Sequence, residues 1–172
     1  MTSVTLAQSY LVKATKRLKI LPVLLAEEAY SDVVREAQEI VELAVKGILR
    51  YIGIEPPKQH DVGYLLVEFQ DRLPEEVRRE AGKIAKISKW LRKEQEFAFY
   101  GDADFIPTEE YTEQDARRGM QDANFVVQMA MGVILPAERA LASQKAGIDC
   151  EGRAGGRPQR KSRLFFIPHL RN

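Results

Sequence analysis

The chain has 172 residues, 45% of them hydrophobic, which predicts one folded domain, or one domain with a tail, and excludes wholesale disorder. No apolar run approaches the roughly 20 residues that cross a bilayer, and no secretory signal is expected from the first residues. The single cysteine, Cys150, excludes an intramolecular disulfide and zinc sites built on cysteine pairs. We therefore expect a cytoplasmic protein without a membrane partner.

The net charge of +1 combines two parts of opposite sign. Residues 151–172 hold six of the 26 Lys and Arg residues and one of the 25 Asp and Glu residues, so this tail carries +5 and residues 1–150 carry −4. Because non-specific phosphate binding needs a basic surface, the charge of residues 1–150 argues against general nucleic-acid binding. The basic tail is either an arm for RNA or an acidic partner, or an extension without a role.

Apolar residues in alternating steps of three and four predict the first two helices. The first stripe consists of Leu11, Ala14, Leu18, Leu21 and Leu25. Pro22 within it is expected to kink this helix or to split off its last turn. The second helix is expected to be capped by Ser31-Asp32 and to end at Gly53. Its stripe consists of Val34, Ala37, Val41, Ala44, Ile48 and Tyr51.

Two further helices are predicted before a loop at Gly101. A short one is expected to start near Asp61 and to carry Val62, Leu65, Leu66 and Phe69. The next is expected to begin at Pro74-Glu75-Glu76, because proline fits the first turn of a helix and acidic side chains there suit the helix dipole.

The last predicted helix starts with a capping box formed by Thr112 and Asp115 and is expected to be interrupted at Pro136. Sustained period-two alternation is absent, so no sheet is expected. The elements together predict an all-α protein: an antiparallel bundle of about five helices over residues 1–137. A basic, flexible extension is expected over residues 138–172.

Four segments, in this order, resemble the HEPN domain. They are the helix YSDVVREAQEIVELAVKGILR at 30–50, the turn GIEPPKQHDV at 53–62, the stretch LRKEQEFAFYGD at 91–102, and Tyr111 with the Asp115-Ala116 pair that opens the last helix. The resemblance covers roughly residues 4–135. It implies an all-helical, commonly dimeric bundle, of a family in which many members are encoded beside small nucleotidyltransferases and some are ribonuclease toxins.

The ribonucleases of that family carry an arginine followed, after four to six residues, by a histidine. The imidazole can exchange protons near neutral pH while the arginine holds a phosphate. In this sequence the matching arginine is Arg92, and the three positions where the histidine would fall hold Phe97, Ala98 and Phe99. The resemblance therefore implies the fold, whereas ribonuclease activity is disfavoured.

Arg92, Glu96 and Tyr100 are the first candidates for binding a nucleotide, RNA or a partner. They are spaced by four, so they lie on one side of a helix. In the functional interpretation Arg92 holds a phosphate, Glu96 orients it, and Tyr100 stacks on a base or donates its hydroxyl. In the other interpretation the first two form an exposed ion pair worth about 0.3–0.5 kcal/mol.

Glu42, Lys46, His60 and Asp102 complete the candidate binding residues. For Glu42 and Lys46, four residues apart, the favoured interpretation is a solvated ion pair, although the family's polar residues here face the bundle interior or the dimer cleft. His60 can bind phosphate as imidazolium but is expected to cap the next helix or pack in its loop. Asp102 lies in an acidic loop of the kind that caps and turns, and no metal site is expected.

With the resemblance, these residues predict a HEPN protein that is the partner of a small nucleotidyltransferase in a toxin–antitoxin-like or nucleotide-linked system, without strong catalysis of its own. The alternatives are a nucleotide- or RNA-binding protein, and a HEPN ribonuclease with an atypical site that uses His60 or Tyr100. The expected partners are a second copy of the chain and the nucleotidyltransferase, with a nucleotide or RNA as the candidate ligand and no resident cofactor.

Overall fold

A computed structural model describes residues 3–58, 62–100 and 111–151, with side chains over 5–58, 62–94 and 111–135. These residues form α-helices, one 3₁₀ turn at Gln70–Arg72 and no strand, which confirms the predicted all-α architecture. The helices are α1 (Ser3–Leu18), α2 (Leu21–Ala26), α3 (Tyr30–Tyr51), α4 (Tyr64–Glu68), α5 (Glu75–Tyr100) and α6 (Glu113–Glu151). None of the helices in the described ranges is long and apolar enough to span a membrane.

Proline and glycine set several of these boundaries. Pro22 lies in the first turn of α2, so the last part of the first apolar stripe forms a separate short helix. At the end of α3, Gly53 has a φ of 79°, in the left-handed region that favours glycine. The amide of Gly53 donates to the carbonyl of Arg50 at 3.2 Å, and that of Ile54 donates to Leu49 at 2.9 Å. These two bonds form a Schellman motif and end α3 as predicted.

The predicted cap of α3 is wrong. The helix begins at Tyr30, its N-cap residue is Ala29, and no side chain caps it. Ser31 lies inside the first turn and is buried. The pattern of a small polar residue followed by an acid is common at helix starts, but here the serine packs into the protein instead.

The later boundaries follow local signals with one exception. α5 starts at Glu75, directly after Pro74, as predicted. The capping box of α6 is present, since the amide of Thr112 donates to Asp115 Oδ2 at 3.0 Å and the amide of Asp115 donates to Thr112 Oγ1 at 3.3 Å. The predicted interruption at Pro136 is wrong, because α6 continues to Glu151. Proline removes one helical hydrogen bond, and a helix can continue beyond that loss.

α4 begins at Tyr64, slightly later than expected, and Asp61 lies outside the described residues. Val62, Leu65 and Leu66 are buried, so the predicted apolar side of this short helix faces the core.

α3 lies at the centre of the bundle, in contact with α1, α2, α4 and α5. Gly47 near its end faces Ala7 and Tyr10 of α1 and Ile134 of α6. Near its start, Val34 and Ala37 lie against Gly119 of α6, which also faces Leu91 of α5. α6 therefore runs parallel to α3, and the two glycines allow the close approach. α1 runs antiparallel to α3, because Arg17 near the end of α1 pairs with Glu36 near the start of α3.

Two cations and two aromatic rings connect α5 to α6. Lys83 Nζ lies 3.7 Å from the ring centre of Phe125, and the guanidinium of Arg118 lies 4.1 Å from the ring of Trp90. Contacts of this kind contribute about 0.5–1 kcal/mol at exposed sites. They fix the antiparallel register of the two helices on the outside of the apolar core.

The chain divides into two compact units, residues 1–138 and 139–172. The first contains the core. Its largest fully buried side chains are Leu21, Ile40, Ile48, Leu49, Leu66, Leu73, Ile84, Leu91, Ile134, Val33, Val34 and Val41. Of the second unit the structure describes the helical backbone up to Glu151.

We predict that Gly63→Ala destabilises the protein, because a Cβ at this position would lie 2.5 Å from Ser88 Cβ and 3.1 Å from Ala85 Cα. Overpacking of this kind costs about 1–3 kcal/mol in free energy of unfolding, which urea denaturation measures. Gly82→Ala is the matched control, since a Cβ there would meet no atom within 4 Å. It should stabilise α5 by about 0.5–1 kcal/mol. Equal stability of the two variants would contradict the packing described for α4 and α5.

Candidate functional site

A row of polar side chains on α3, which we call the α3 polar row, consists of Gln38, Glu42 and Lys46. Lys46 Nζ donates to Glu42 Oε1 at 2.6 Å, and Gln38 Nε2 donates to Glu42 Oε2 at 3.0 Å. Gln38 and Glu42 are only 3% and 8% exposed. Successive steps of four residues bring the three side chains into line on one side of the helix.

The favoured interpretation of Glu42 and Lys46 as a solvated ion pair is wrong. The Lys46 and Glu42 side chains are 14% and 10% exposed, so the pair is largely removed from water. In a buried ion pair each charged group depends on its partner, because a buried charge without a partner lowers the free energy of unfolding by several kcal/mol. Both oxygens of Glu42 are engaged, and the pair forms a fixed part of the bundle.

Gln38 carries an acceptor without a donor. Its Oε1 is buried and accepts no hydrogen bond from the described residues, while its Nε2 is used by Glu42. Leaving a buried acceptor unsatisfied costs about 1–3 kcal/mol. A buried acceptor without a donor, such as Gln38 Oε1, is a candidate for contacting a ligand.

Arg92 lies on α5 at the level of Gln38. Leu91 and Ala37, their chain neighbours, both lie against Gly119. Arg92 is half-buried and takes part in an interaction of its own, and Ser88, one turn earlier, is buried beside Gly63. The bundle therefore places the candidate phosphate-binding arginine at the height of Gln38, the first residue of the α3 polar row.

Tyr111 connects the start of α6 to this part of α5. Its hydroxyl lies 2.9 Å from the backbone oxygen of Glu94 and 3.1 Å from Glu94 Oε2. Burial raises the pKa of Tyr111 well above its ordinary value, and the neighbouring Glu94 carboxylate raises it further. The phenol therefore stays protonated at neutral pH and acts as a donor that holds Glu94 in place.

The sequence singles out Tyr111 through the resemblance but does not predict its contact with Glu94, and it does not single out a second pair. Arg17 of α1 donates to Glu36 of α3 at 2.9 Å, and Glu36 is buried. The two contacts join residues that are 17 and 19 positions apart in the sequence. The spacing of residues along one helix cannot predict contacts of this kind. The one signal for Glu36 is its charge on a mostly apolar helix.

The remaining candidate residues are placed only in part. Glu96 and Tyr100 belong to the described backbone of α5, while their side chains are outside the described set. His60 and Asp102 lie outside the described residues altogether. Over the ranges that the structure describes, there is no group of three or more His, Cys, Asp and Glu residues that could hold a metal ion.

Comparison with known proteins identifies the family. The HEPN domain matches residues 7–133, which is most of the chain, and the chain therefore belongs to the HEPN family. It is 28% identical over 130 residues to the protein named "Putative toxin MJ1304" from Methanocaldococcus jannaschii, and the alignment covers 72% of this chain and 84% of that protein.

The crystal structure of an archaeal HEPN homologue has a similar fold. Its TM-score is 0.58 at 24% sequence identity, and the alignment covers 74% of this chain and 97% of that chain. At this identity the likeness concerns the fold.

We predict that Glu42→Ala lowers the free energy of unfolding by about 3 kcal/mol, because it leaves the Lys46 ammonium buried without its carboxylate and removes the acceptor of Gln38. Glu75→Ala provides the control. Glu75 pairs with Arg78 and Arg79 on the surface of α5, and the three side chains are 58%, 42% and 73% exposed. The loss of these pairs and of a first-turn acid should cost no more than about 1 kcal/mol in urea denaturation. If both variants lose the same stability, the α3 polar row is not an interior structure.

Proposed function

We propose that this HEPN protein is the toxin-like member of a two-protein system whose other member is a small nucleotidyltransferase, and that it acts by binding, without strong catalysis of its own. The similarity to a relative that is named as a toxin supports the first part. The resemblance to HEPN domains encoded beside nucleotidyltransferases supports the second.

The observation that carries the proposal is the composition of α5 after Arg92. The helix continues unbroken to Tyr100, and the positions that would carry a ribonuclease histidine hold Phe97, Ala98 and Phe99. These side chains have no proton to exchange near neutral pH. General acid–base catalysis contributes about 10²–10⁴ in rate, so a HEPN site without it is a weak ribonuclease at best.

Two carboxylates of α3 and α5 are already engaged within the protein. Glu94 lies within hydrogen-bonding distance of the Tyr111 hydroxyl, and Glu42 binds Lys46 and Gln38 with both of its oxygens. The polar groups of this region are better suited to holding a ligand than to cleaving one.

We assign binding to the candidate residues of α5 and α3 and to His60 and Asp102. Arg92 keeps its charge and its forked donors, which suit a phosphate or a carboxylate. The ligand would be a nucleotide, RNA or the partner protein, and no resident cofactor is required. The residues proposed for this role are Arg92, Glu96, Tyr100, Asp102, Glu42, Lys46 and His60.

The alternatives differ in what they require of these residues. A nucleotide- or RNA-binding protein needs Arg92 but no nucleotidyltransferase. A ribonuclease with an atypical site needs a substitute acid–base group, and His60 and Tyr100 are the candidates. Tyrosine titrates near pH 10, which makes Tyr100 a better donor or stacking surface than a base at neutral pH.

We predict that the purified protein cleaves RNA little or not at all, and that a histidine placed at position 97, 98 or 99 creates or increases cleavage. Phe97→His, Ala98→His and Phe99→His should be assayed separately, and at least one should raise the rate by about 10²–10⁴. Lys93→His is the control, because it adds an imidazole on the same helix outside this window. Robust cleavage by the unaltered protein, abolished by His60→Ala, would contradict the proposal.

We also propose that the chain forms a homodimer. Tyr64 and Val67 of α4 are large apolar side chains that are 49% and 42% exposed, and HEPN domains commonly pair. Sedimentation velocity at micromolar concentration should therefore give a species of twice 19.5 kDa. A single species of 19.5 kDa at this concentration would argue against the dimer.

A further inference from the structure

A groove runs between α1 and α6, on residues that the proposed nucleotide- or partner-binding site does not use. It consists of two open pockets of about 430 and 290 Å³ that join, since Thr15 and Lys19 line both of them. We call it the α1–α6 groove. Its apolar lining includes Leu18 and Met120 in the first pocket and Val12, Met131 and Leu135 in the second.

Exposed apolar side chains lie in the groove and close to it along the chain. Val12 in its lining is 51% exposed. Ile20 and Val23, two residues before and one residue after the lining residue Pro22, are 47% and 60% exposed. Isolated apolar residues on a surface are ordinary, whereas an apolar groove with exposed valine and isoleucine beside it in the chain is typical of a protein-binding surface.

The charge along this groove has one sign. Residues 3–26 contain Lys13, Lys16, Arg17 and Lys19 and no acidic residue. Arg17 is paired with Glu36, but within the described part of the chain Lys16 and Lys19 have no ion pair. Both lysines line the groove, and among the side chains that the structure describes no carboxylate lines either pocket. The surface is therefore apolar along its floor and basic along its edge.

We propose that the α1–α6 groove docks an amphipathic, acidic helical segment of another protein. Helices commonly bind in such grooves through an apolar face, and acidic side chains beside that face would meet Lys16 and Lys19. The groove follows α1 from Leu11 to beyond Leu18, a length of roughly 10–15 Å at the rise of an α-helix, which suits about three helical turns of a partner.

Charge distinguishes an acidic segment of another protein from the two occupants that the chain itself could supply, a second copy and its own tail. A second copy bound through the same surface by a two-fold axis would place lysines opposite lysines. The chain's own tail carries +5, so it would also meet like charge. An acidic segment of another protein would be attracted to Lys16 and Lys19, whereas a second copy and the tail would be repelled by them.

The test uses the full chain and a labelled amphipathic peptide of about 15 residues, with leucines on one face and glutamates beside them. Fluorescence anisotropy should show micromolar binding that weakens as salt is added, because the attraction is partly Coulombic. A permuted peptide of the same composition, and one with lysines in place of the glutamates, should bind at least about tenfold more weakly.

Charge reversal on the protein locates the binding. The double variant Lys16→Glu, Lys19→Glu should weaken the acidic peptide about tenfold or more. Lys86→Glu with Lys89→Glu is the matched control, since it has the same spacing, exposure and charge change on α5. This control should change the affinity for the acidic peptide less than about twofold. Arg92→Ala should also change it less than about twofold, because Arg92 belongs to the proposed nucleotidyltransferase-dependent function and not to the groove. The two proposals can therefore fail independently of each other.

Several results would overturn the docking proposal. One is equal binding of the acidic, permuted and basic peptides, and another is an equal loss in the two charge-reversal variants. A third is a change in the oligomeric state: if Lys16→Glu with Lys19→Glu converts a dimer into a 19.5 kDa monomer, or makes the dimer more stable, a second copy of the chain occupies the groove. If Phe165→Ser with Phe166→Ser raises the affinity for the peptide, the chain's own tail occupies it.

Discussion

Close packing of α3 against its neighbours is the constraint on which the structure depends. A helix that contacts α1, α2, α4, α5 and α6 has little surface left for water, so its polar side chains must find partners inside the protein. Glu42 does so through Lys46 and Gln38, and Glu36 through Arg17 of α1. The small residues Gly47 and Gly119 provide the close approach that this packing needs.

Local sequence signals predicted the helices and several of their ends, because these depend on neighbouring residues alone. The left-handed Gly53, the first-turn position after Pro74, and the capping box of Thr112 and Asp115 are such signals. The cap at Ser31 and the interruption at Pro136 were wrong, since tertiary packing and the length of a helix can override a local preference.

The burial of the α3 polar row could not be predicted from spacing. A separation of four residues shows that Glu42 and Lys46 can meet on a helix, but it does not show what covers them. The contact of Tyr111 with Glu94 joins residues 17 positions apart, on either side of the segment between α5 and α6. The α1–α6 groove likewise depends on tertiary packing, because the first and last helices of the described sequence lie side by side.

We propose that this HEPN protein acts through a bound partner and that Arg92 serves binding and not cleavage. The decisive experiment is purification of the protein from its native host, followed by mass spectrometry of bound protein and nucleotide. We expect a small nucleotidyltransferase in stoichiometric amount with the unaltered chain, less of it with Arg92→Ala, and no loss with Arg79→Ala, which removes an exposed arginine from the same helix. A chain that purifies without a protein partner and cleaves RNA would contradict this proposal.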